Sequence, residues 1–148
     1  MVSFLQTYST QMGVKTKNEN FPSWLGEIKA LNLSRLSFSW KNLSYFRGLE
    51  SLDLSENLLT KVPEEVFQLK NITHLNLSDN EITFIPEEIG ELKHLTVLDL
   101  TFNPLQKLPK SLANIPGKLS ILVDESFPAF SIPPELLNKE GFTLQQNF

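Results

Sequence analysis

The sequence predicts an α/β repeat solenoid, with one parallel β-sheet on the inner side and short helices or 3₁₀ turns on the outer side. The three segments that start at Leu49, Ile72 and Leu95 share apolar residues at positions 1, 4, 6 and 11. They also share Asn at position 9 and an aliphatic residue followed by Pro at positions 14 and 15. A repeat of about 20 to 50 residues is typical of stacked repeats, because a single repeat cannot bury its apolar face alone.

Each repeat begins with a predicted strand and ends with a predicted helical turn. Leu75 and Leu77 alternate with polar residues, as in a strand with one buried face. The Asn at position 9 is predicted to form a ladder that satisfies backbone groups where the chain leaves the strand. Pro63, Pro86 and Pro109 are predicted to start the return segments, since their φ angle suits the first turn of a helix.

Weaker copies flank the three clear ones. Frames that start at 28, 49, 72, 95 and 119 give spacings of 21, 23, 23 and 24 residues. The predicted organisation is an N-terminal capping helix and linker over 1–20, about five repeats over 21–141, clearest over 49–118, and a C-terminal cap or truncated final strand over 142–148. Terminal repeats are expected to be atypical, because one of their faces meets water.

The string LxxLxLxxNxL in these copies resembles the defining motif of the leucine-rich repeat family. Their return segments resemble the 23-residue intracellular type with an LPxxI motif. The resemblance implies a right-handed solenoid that binds another protein without catalysing a reaction. It also implies an intracellular regulator or effector that inhibits or redirects a partner enzyme or signalling protein.

Composition narrows the expected partners and compartment. The formal net charge of -4 argues against nucleic acid and anionic membranes as partners. The chain contains no Cys, which favours a reducing compartment such as the cytoplasm, or a host cell's cytoplasm for a bacterial effector. The alternative is an extracellular ligand-recognition fragment of a receptor, which glycans on Asn42 or Asn71 would favour. We expect a monomer without cofactor or metal.

The predicted binding site is the concave face of the sheet. Side chains at positions 3, 5 and 7 are predicted to point outward, with positions 2 and 8 at the margins. This face runs from basic through acidic to apolar residues, so a partner with a basic and partly apolar surface would match it. The candidate residues are Arg35, Glu50, Asp53, Glu56, His74, Asn76, Asp79, Val97, Asp99, Phe102, Ile121 and Val123.

Two alternatives concern single residues on this face. Phe102 is expected either to be exposed, as an interface anchor is, or to fold over the edge of the turn and pack against Phe127. His74 has Ser51 and Asp53 as predicted neighbours, which would suit a catalytic triad. An open sheet face offers no cleft or oxyanion hole, however, so we expect no enzyme activity.

Overall fold

The computed structural model describes residues 23–35, 40–124, 126–128 and 131–147. The helix and linker predicted over 1–20 lie outside these residues. The described part contains strands β1 Ala30–Asn32, β2 Ser51–Asp53, β3 His74–Asn76, β4 Val97–Asp99, β5 Leu119–Asp124 and β6 Phe142–Asn147. The 3₁₀ turns are η1 Ser23–Glu27, η2 Trp40–Tyr45, η3 Glu64–Gln68, η4 Glu87–Glu91 and η5 Lys110–Asn114, and the α-helix α1 is Pro134–Leu137.

The strands form one parallel sheet in the order of the chain, which confirms the predicted solenoid. Ser51 lies opposite His74, and every later pair keeps the same step of 23 residues through β6. The predicted step of 24 residues into the fifth repeat is wrong. Val97 lies opposite Ser120, so the fifth frame starts at residue 118 rather than at Leu119.

Two rows of apolar side chains stack under the sheet and form its core. Both strand rows are at most 1% exposed, because each repeat covers the row of its neighbour. Leucines and isoleucines of the turns pack beneath them in the same cluster. The strand rows are Leu52, Leu75, Leu98 and Ile121 at position 4, and Leu54, Leu77, Leu100 and Val123 at position 6.

The predicted asparagine ladder is present. The amide of Asn80 donates to the carbonyls of Leu54, Leu77 and Ser78 at 2.9 to 3.0 Å, and its oxygen accepts from the backbone of Asn57 and Leu59. Asn57 and Asn103 make the equivalent donations in their own repeats. The ladder therefore satisfies the backbone groups that the chain exposes as it turns inward.

The three clear repeats return through 3₁₀ turns. Pro63, Pro86 and Pro109 immediately precede η3, η4 and η5, as predicted. Each turn spans five residues, and its capping N–H bonds the carbonyl three residues earlier. Among the described residues, no helix is long and apolar enough to cross a membrane.

Candidate functional site

Two rows of side chains emerge from the exposed face of the sheet. The register aligns Ala30, Ser51, His74, Val97, Ser120 and Thr143 at position 3. Position 5 contributes Asn32, Asp53, Asn76, Asp99, Leu122 and Gln145. Adjacent strands lie roughly 4.8 Å apart, so the six strands span about 24 Å.

Local hydrogen bonds fix the aspartates at position 5. One carboxylate oxygen of Asp53 accepts from the backbone N–H and the hydroxyl of Ser55, at 3.0 and 2.7 Å. Asp99 holds Thr101 with the same two distances. Ser55 and Thr101 are buried at 8% and 5% exposure, which corrects the prediction that position 7 points outward. The strands end at position 5, so the alternation of faces stops there.

A third column, at position 8, borders the face with left-handed backbone. Arg35, Glu56, Asp79 and Phe102 have φ between 53° and 56°. The backbone N–H of Asp79, for example, donates to the carbonyl of Thr101 in the next repeat at 3.0 Å. These contacts tie each corner to its neighbour and direct the side chain away from the core.

Two ion pairs lie in the N-terminal third of the face, where the carboxylate of Asp53 accepts from the amide of Asn32 at 2.9 Å. Lys29 pairs with Glu50 at 2.8 Å, and Arg35 pairs with Glu56 at 2.5 Å. The hydrogen bond and the charge of Glu56 raise the pKa of Arg35, and Asp79 adds a smaller contribution. A basic region followed by an acidic region was predicted here. Instead, the two basic residues are each paired with a glutamate of the next repeat.

The face is acidic beyond those pairs. Asp79, Asp99 and Asp124 lie at positions 8, 5 and 7 of three successive repeats. The sequence places no Lys or Arg at positions 2, 3, 5, 7 or 8 of these repeats. Because exposed cations at these positions are absent, the three carboxylates give the middle of the face a negative potential.

An apolar patch lies beside the acidic residues. Phe102 is 60% exposed, while Phe127 is buried at 7%. Of the two alternatives for Phe102, the structure therefore has the exposed one. Val97 and Leu122, on neighbouring strands, are half-buried. These three apolar side chains lie at positions 3, 5 and 8 of the fourth and fifth repeats, and we call them the apolar patch.

Two predicted site residues do not belong to this face. Ile121 and Val123 are 0% and 1% exposed and point into the core. The cause is the register of the fifth repeat, in which Ile121 lies opposite Leu98. Prediction missed the residues that replace them, namely Ser120, Leu122 and Asp124. The signal was available, because a frame at 118 puts apolar Ile121 and Val123 at the two inward positions.

His74 is exposed and contacts the hydroxyl of Thr73 at 2.9 Å through Nδ1. That hydroxyl donates its single proton to the carbonyl of Glu50 at 2.9 Å. The Nδ1–H of His74 therefore donates to the hydroxyl oxygen of Thr73. His74 lines neither the groove around Lys118 nor the groove around Leu108.

The structure places the remaining candidates as follows. Glu50, Glu56 and Asp79 are exposed, and Asp53 and Asn76 are half-buried on the face. The amide oxygen of Asn76 accepts from the backbone N–H of Ser78 at 3.0 Å. Within the described ranges, no group of three or more His, Cys, Asp or Glu is arranged to hold a metal ion.

Comparison with known proteins yields a family and a fold. A family model described as leucine rich repeat matches residues 47–105. A leucine-rich repeat protein of Leptospira interrogans is 28% identical with a TM-score of 0.66, and the match covers 90% of this chain and 34% of that one. A chain of the Toll–Spatzle complex of Drosophila is 17% identical with a TM-score of 0.67, over 90% of this chain and 20% of that one. At that identity the second likeness shows the fold alone. The chain thus spans about a third or less of these structures, and no curated protein matches it.

Proposed function

Since this chain belongs to the leucine-rich repeat family, we propose that its concave face binds a basic and partly apolar surface of a protein partner. The family's fold is a protein-interaction module, and we propose that this member has no catalytic role. One observation carries the proposal. The exposed Phe102 lies in the same column as the carboxylate of Asp79, and its backbone N–H donates to the carboxylate of Asp124.

Phe102 suits the role of an anchor because its position is fixed before binding. Its backbone lies in the left-handed region, and its N–H donates to both oxygens of Asp124 at 3.0 and 2.9 Å. A side chain on such a fixed backbone loses little freedom when a partner covers it. Buried aromatic residues near the centre of an interface commonly contribute most of the binding energy.

The carboxylates act mainly on encounter and orientation. Charges at the rim of an interface steer a complementary partner and penalise a like-charged one, while contributing less to the final affinity. Asp79 and Asp99 flank the anchor at the margin and on the sheet. A partner that presents Lys or Arg next to an apolar side chain would satisfy both features, and the face is wide enough for one such protein.

We further propose that the binding regulates the partner, by inhibiting or redirecting an enzyme or a signalling protein in the cytoplasm. The absence of Cys supports a reducing compartment. Fractionation of cells that express the natural full-length gene tests the compartment directly.

The test of the binding face is affinity capture from native lysate, followed by titration with the captured protein. Phe102→Ala and Asp79→Asn should each weaken binding, the first by about tenfold or more. Matched controls lie off the face: Phe84→Ala removes an aromatic that is 53% exposed, and Glu88→Gln removes an exposed carboxylate. A partner that binds all four variants equally well would place the binding site elsewhere on the molecule.

One observation supports the extracellular alternative. Asn71 is exposed in the sequon Asn71-Ile72-Thr73, and its amide donates to the carbonyl of Arg47 at 3.0 Å. Mass spectrometry of the natural gene product decides between the compartments. A glycan on Asn71 would establish passage through a secretory pathway and rule out the cytoplasmic proposal.

A further inference from the structure

A second surface lies away from the sheet, where the chain enters the 3₁₀ turns. It contains a groove of about 660 Å³. Ile85, Leu108 and the prolines that follow them line its apolar part. Its rim carries an exposed aromatic and charges of both signs, namely Phe84, Glu87, Lys107, Lys110 and Glu135. We call Phe84, Glu87, Lys107 and Lys110 the flank patch.

Backbone hydrogen bonds hold the segments of the flank patch side by side. The N–H of Gln106 donates to the carbonyl of Thr83 at 3.0 Å, which links position 12 of two successive repeats. Phe84 and Lys107 follow these residues, so they occupy equivalent positions on adjacent segments. Glu87 and Lys110 are related in the same way three residues later.

The repeat itself does not require an aromatic residue at Phe84. The next residue, Ile85, fills the inward position at 4% exposure, while Phe84 is 53% exposed. The equivalent positions in the neighbouring repeats hold Lys61 and Lys107, both exposed. A single exposed apolar residue is ordinary. Here it borders a groove whose apolar residues Ile85 and Leu108 are already 4% and 2% exposed, so the ring of Phe84 supplies the apolar surface that a partner would cover.

The charges of the flank patch favour one kind of occupant. Glu87 and Lys110 carry opposite charges at equivalent positions, so a uniformly acidic or basic partner would meet like charge on one side. Consider a two-fold axis that lies in the interface plane and runs along the segments, between the third and fourth repeats. It places the third repeat of one copy against the fourth repeat of the other, with equal repeat positions opposite each other. It sets Glu87 against the partner's Lys110 and Phe84 against the partner's Lys107, each contact occurring twice.

We propose that the flank patch is a self-complementary surface through which two copies of this chain form a weak, reversible dimer. Each ring of Phe84 then lies near the cation of the partner's Lys107, and a cation over an aromatic ring is a favourable pairing. The dimer is weak because exposed ion pairs contribute little each. The expectation of a monomer then holds only in dilute solution. The proposal is independent of the concave-face function.

Reversing the charges that face each other across the proposed axis gives a specific test. Analytical ultracentrifugation at protein concentrations up to about 1 mM measures the dimer Kd. Wild type should dimerise with rising concentration. Glu87→Lys alone and Lys110→Glu alone should each raise the dimer Kd by at least about tenfold, because like charges then meet twice. An equimolar mixture of the two variants should associate as well as wild type, since both cross-interface pairs are opposite in sign in the mixed dimer.

Controls separate the dimer from folding and from partner binding. Thermal unfolding of Glu87→Lys and Lys110→Glu checks that each is folded. Phe84→Ala should weaken dimerisation several-fold, while Phe102→Ala on the concave face should leave it unchanged. A wild type that stays monomeric at the highest concentration overturns the proposal. Folded single variants whose mixture fails to associate overturn it equally.

Discussion

The backbone N–H of Phe102 donates to both carboxylate oxygens of Asp124, at 3.0 and 2.9 Å. In the preceding repeats, the same N–H donates to a backbone carbonyl of the next repeat, as between Glu56 and Ser78 at 3.1 Å. A side chain therefore replaces a main-chain acceptor at the corner that displays the proposed anchor. This single contact links the fifth repeat to the geometry of the binding face.

We expect Asp124→Ala to lower the free energy of unfolding by about 1–2 kcal/mol, because Phe102 loses a charged acceptor that is only half-buried. Partner binding should weaken as well, since the anchor is no longer fixed. Asp124→Asn keeps one acceptor oxygen and should have the smaller effect on both. Urea unfolding and titration with the captured partner measure the two effects. Equal behaviour of the two variants would argue against the acceptor role.

The asparagine ladder gives a second prediction. Asn80 is 6% exposed, and its side chain makes five hydrogen bonds to backbone groups. Asn80→Ala should cost about 3 kcal/mol or more, because several buried backbone groups lose their partner. The control is Asn76→Ala on the sheet surface, which should cost about 1 kcal/mol or less. If urea unfolding gave the two variants similar stabilities, the ladder would not hold the repeats together.

The repeats over 49–118 were predictable because two separate patterns agree there. Leucines at positions 4 and 6 define the strand, and Asn at position 9 defines the turn that follows. In the fifth repeat the patterns separate. The predicted frame starts at Leu119 and the observed one at Lys118, and Asn is missing at position 9, which Ser126 occupies in the observed frame. The alternation of Ile121 and Val123 favours the frame at 118, and backbone pairing fixes it, as in the bond from the Leu100 N–H to the Leu122 carbonyl.

The prediction that position 7 points outward was wrong for a related physical reason, where the strands end. Alternation was extended to position 7, although β2 ends at Asp53. The corner then turns through a left-handed residue, Glu56, and buries Ser55 under its own hydrogen bond to Asp53. Ion pairing such as that of Arg35 with Glu56 also depends on side-chain geometry across repeats, which spacing alone does not specify.

Core packing gives a third prediction. Leu77 is fully buried at 0% exposure, so Leu77→Ala should lower the free energy of unfolding by about 2–5 kcal/mol through the cavity it leaves. Leu58 is 75% exposed and provides a control with the same chemical change. Leu58→Ala should stay within about 0.5 kcal/mol of wild type. A small effect at Leu77, measured by urea unfolding, would contradict the packing of the central repeats.

A close approach between turns gives a fourth prediction. A Cβ on Gly90 would lie 2.6 Å from the Cβ of Ser111 and 2.7 Å from its carbonyl oxygen. Gly90→Ala should therefore cost about 1–3 kcal/mol by forcing η4 and η5 apart. Gly26 has nothing within 4 Å of the same atom. Gly26→Ala should be neutral, or stabilising by up to about 1 kcal/mol. Thermal unfolding of both variants decides whether the turns pack this closely.

The same pair of turns gives a prediction about pH. The backbone N–H of Ser111 donates to Glu87 at 2.9 Å, and this hydrogen bond lowers the pKa of the Glu87 carboxyl. A carboxyl whose pKa is lower in the folded state stabilises the fold above its unfolded pKa, about 4.3, and loses that effect as the pH falls through the folded value. Wild type should therefore be more stable than Glu87→Gln at pH 7.

That difference should shrink as the pH falls through the folded-state pKa of Glu87, because the carboxyl then becomes protonated in both states. Urea unfolding in dilute solution, where self-association does not contribute, measures the difference at each pH. Glu88→Gln serves as the control, because Glu88 is an exposed carboxylate in the same turn. A stability difference for Glu87→Gln that stays constant from pH 7 to pH 3 would show that the carboxylate charge does not stabilise this turn.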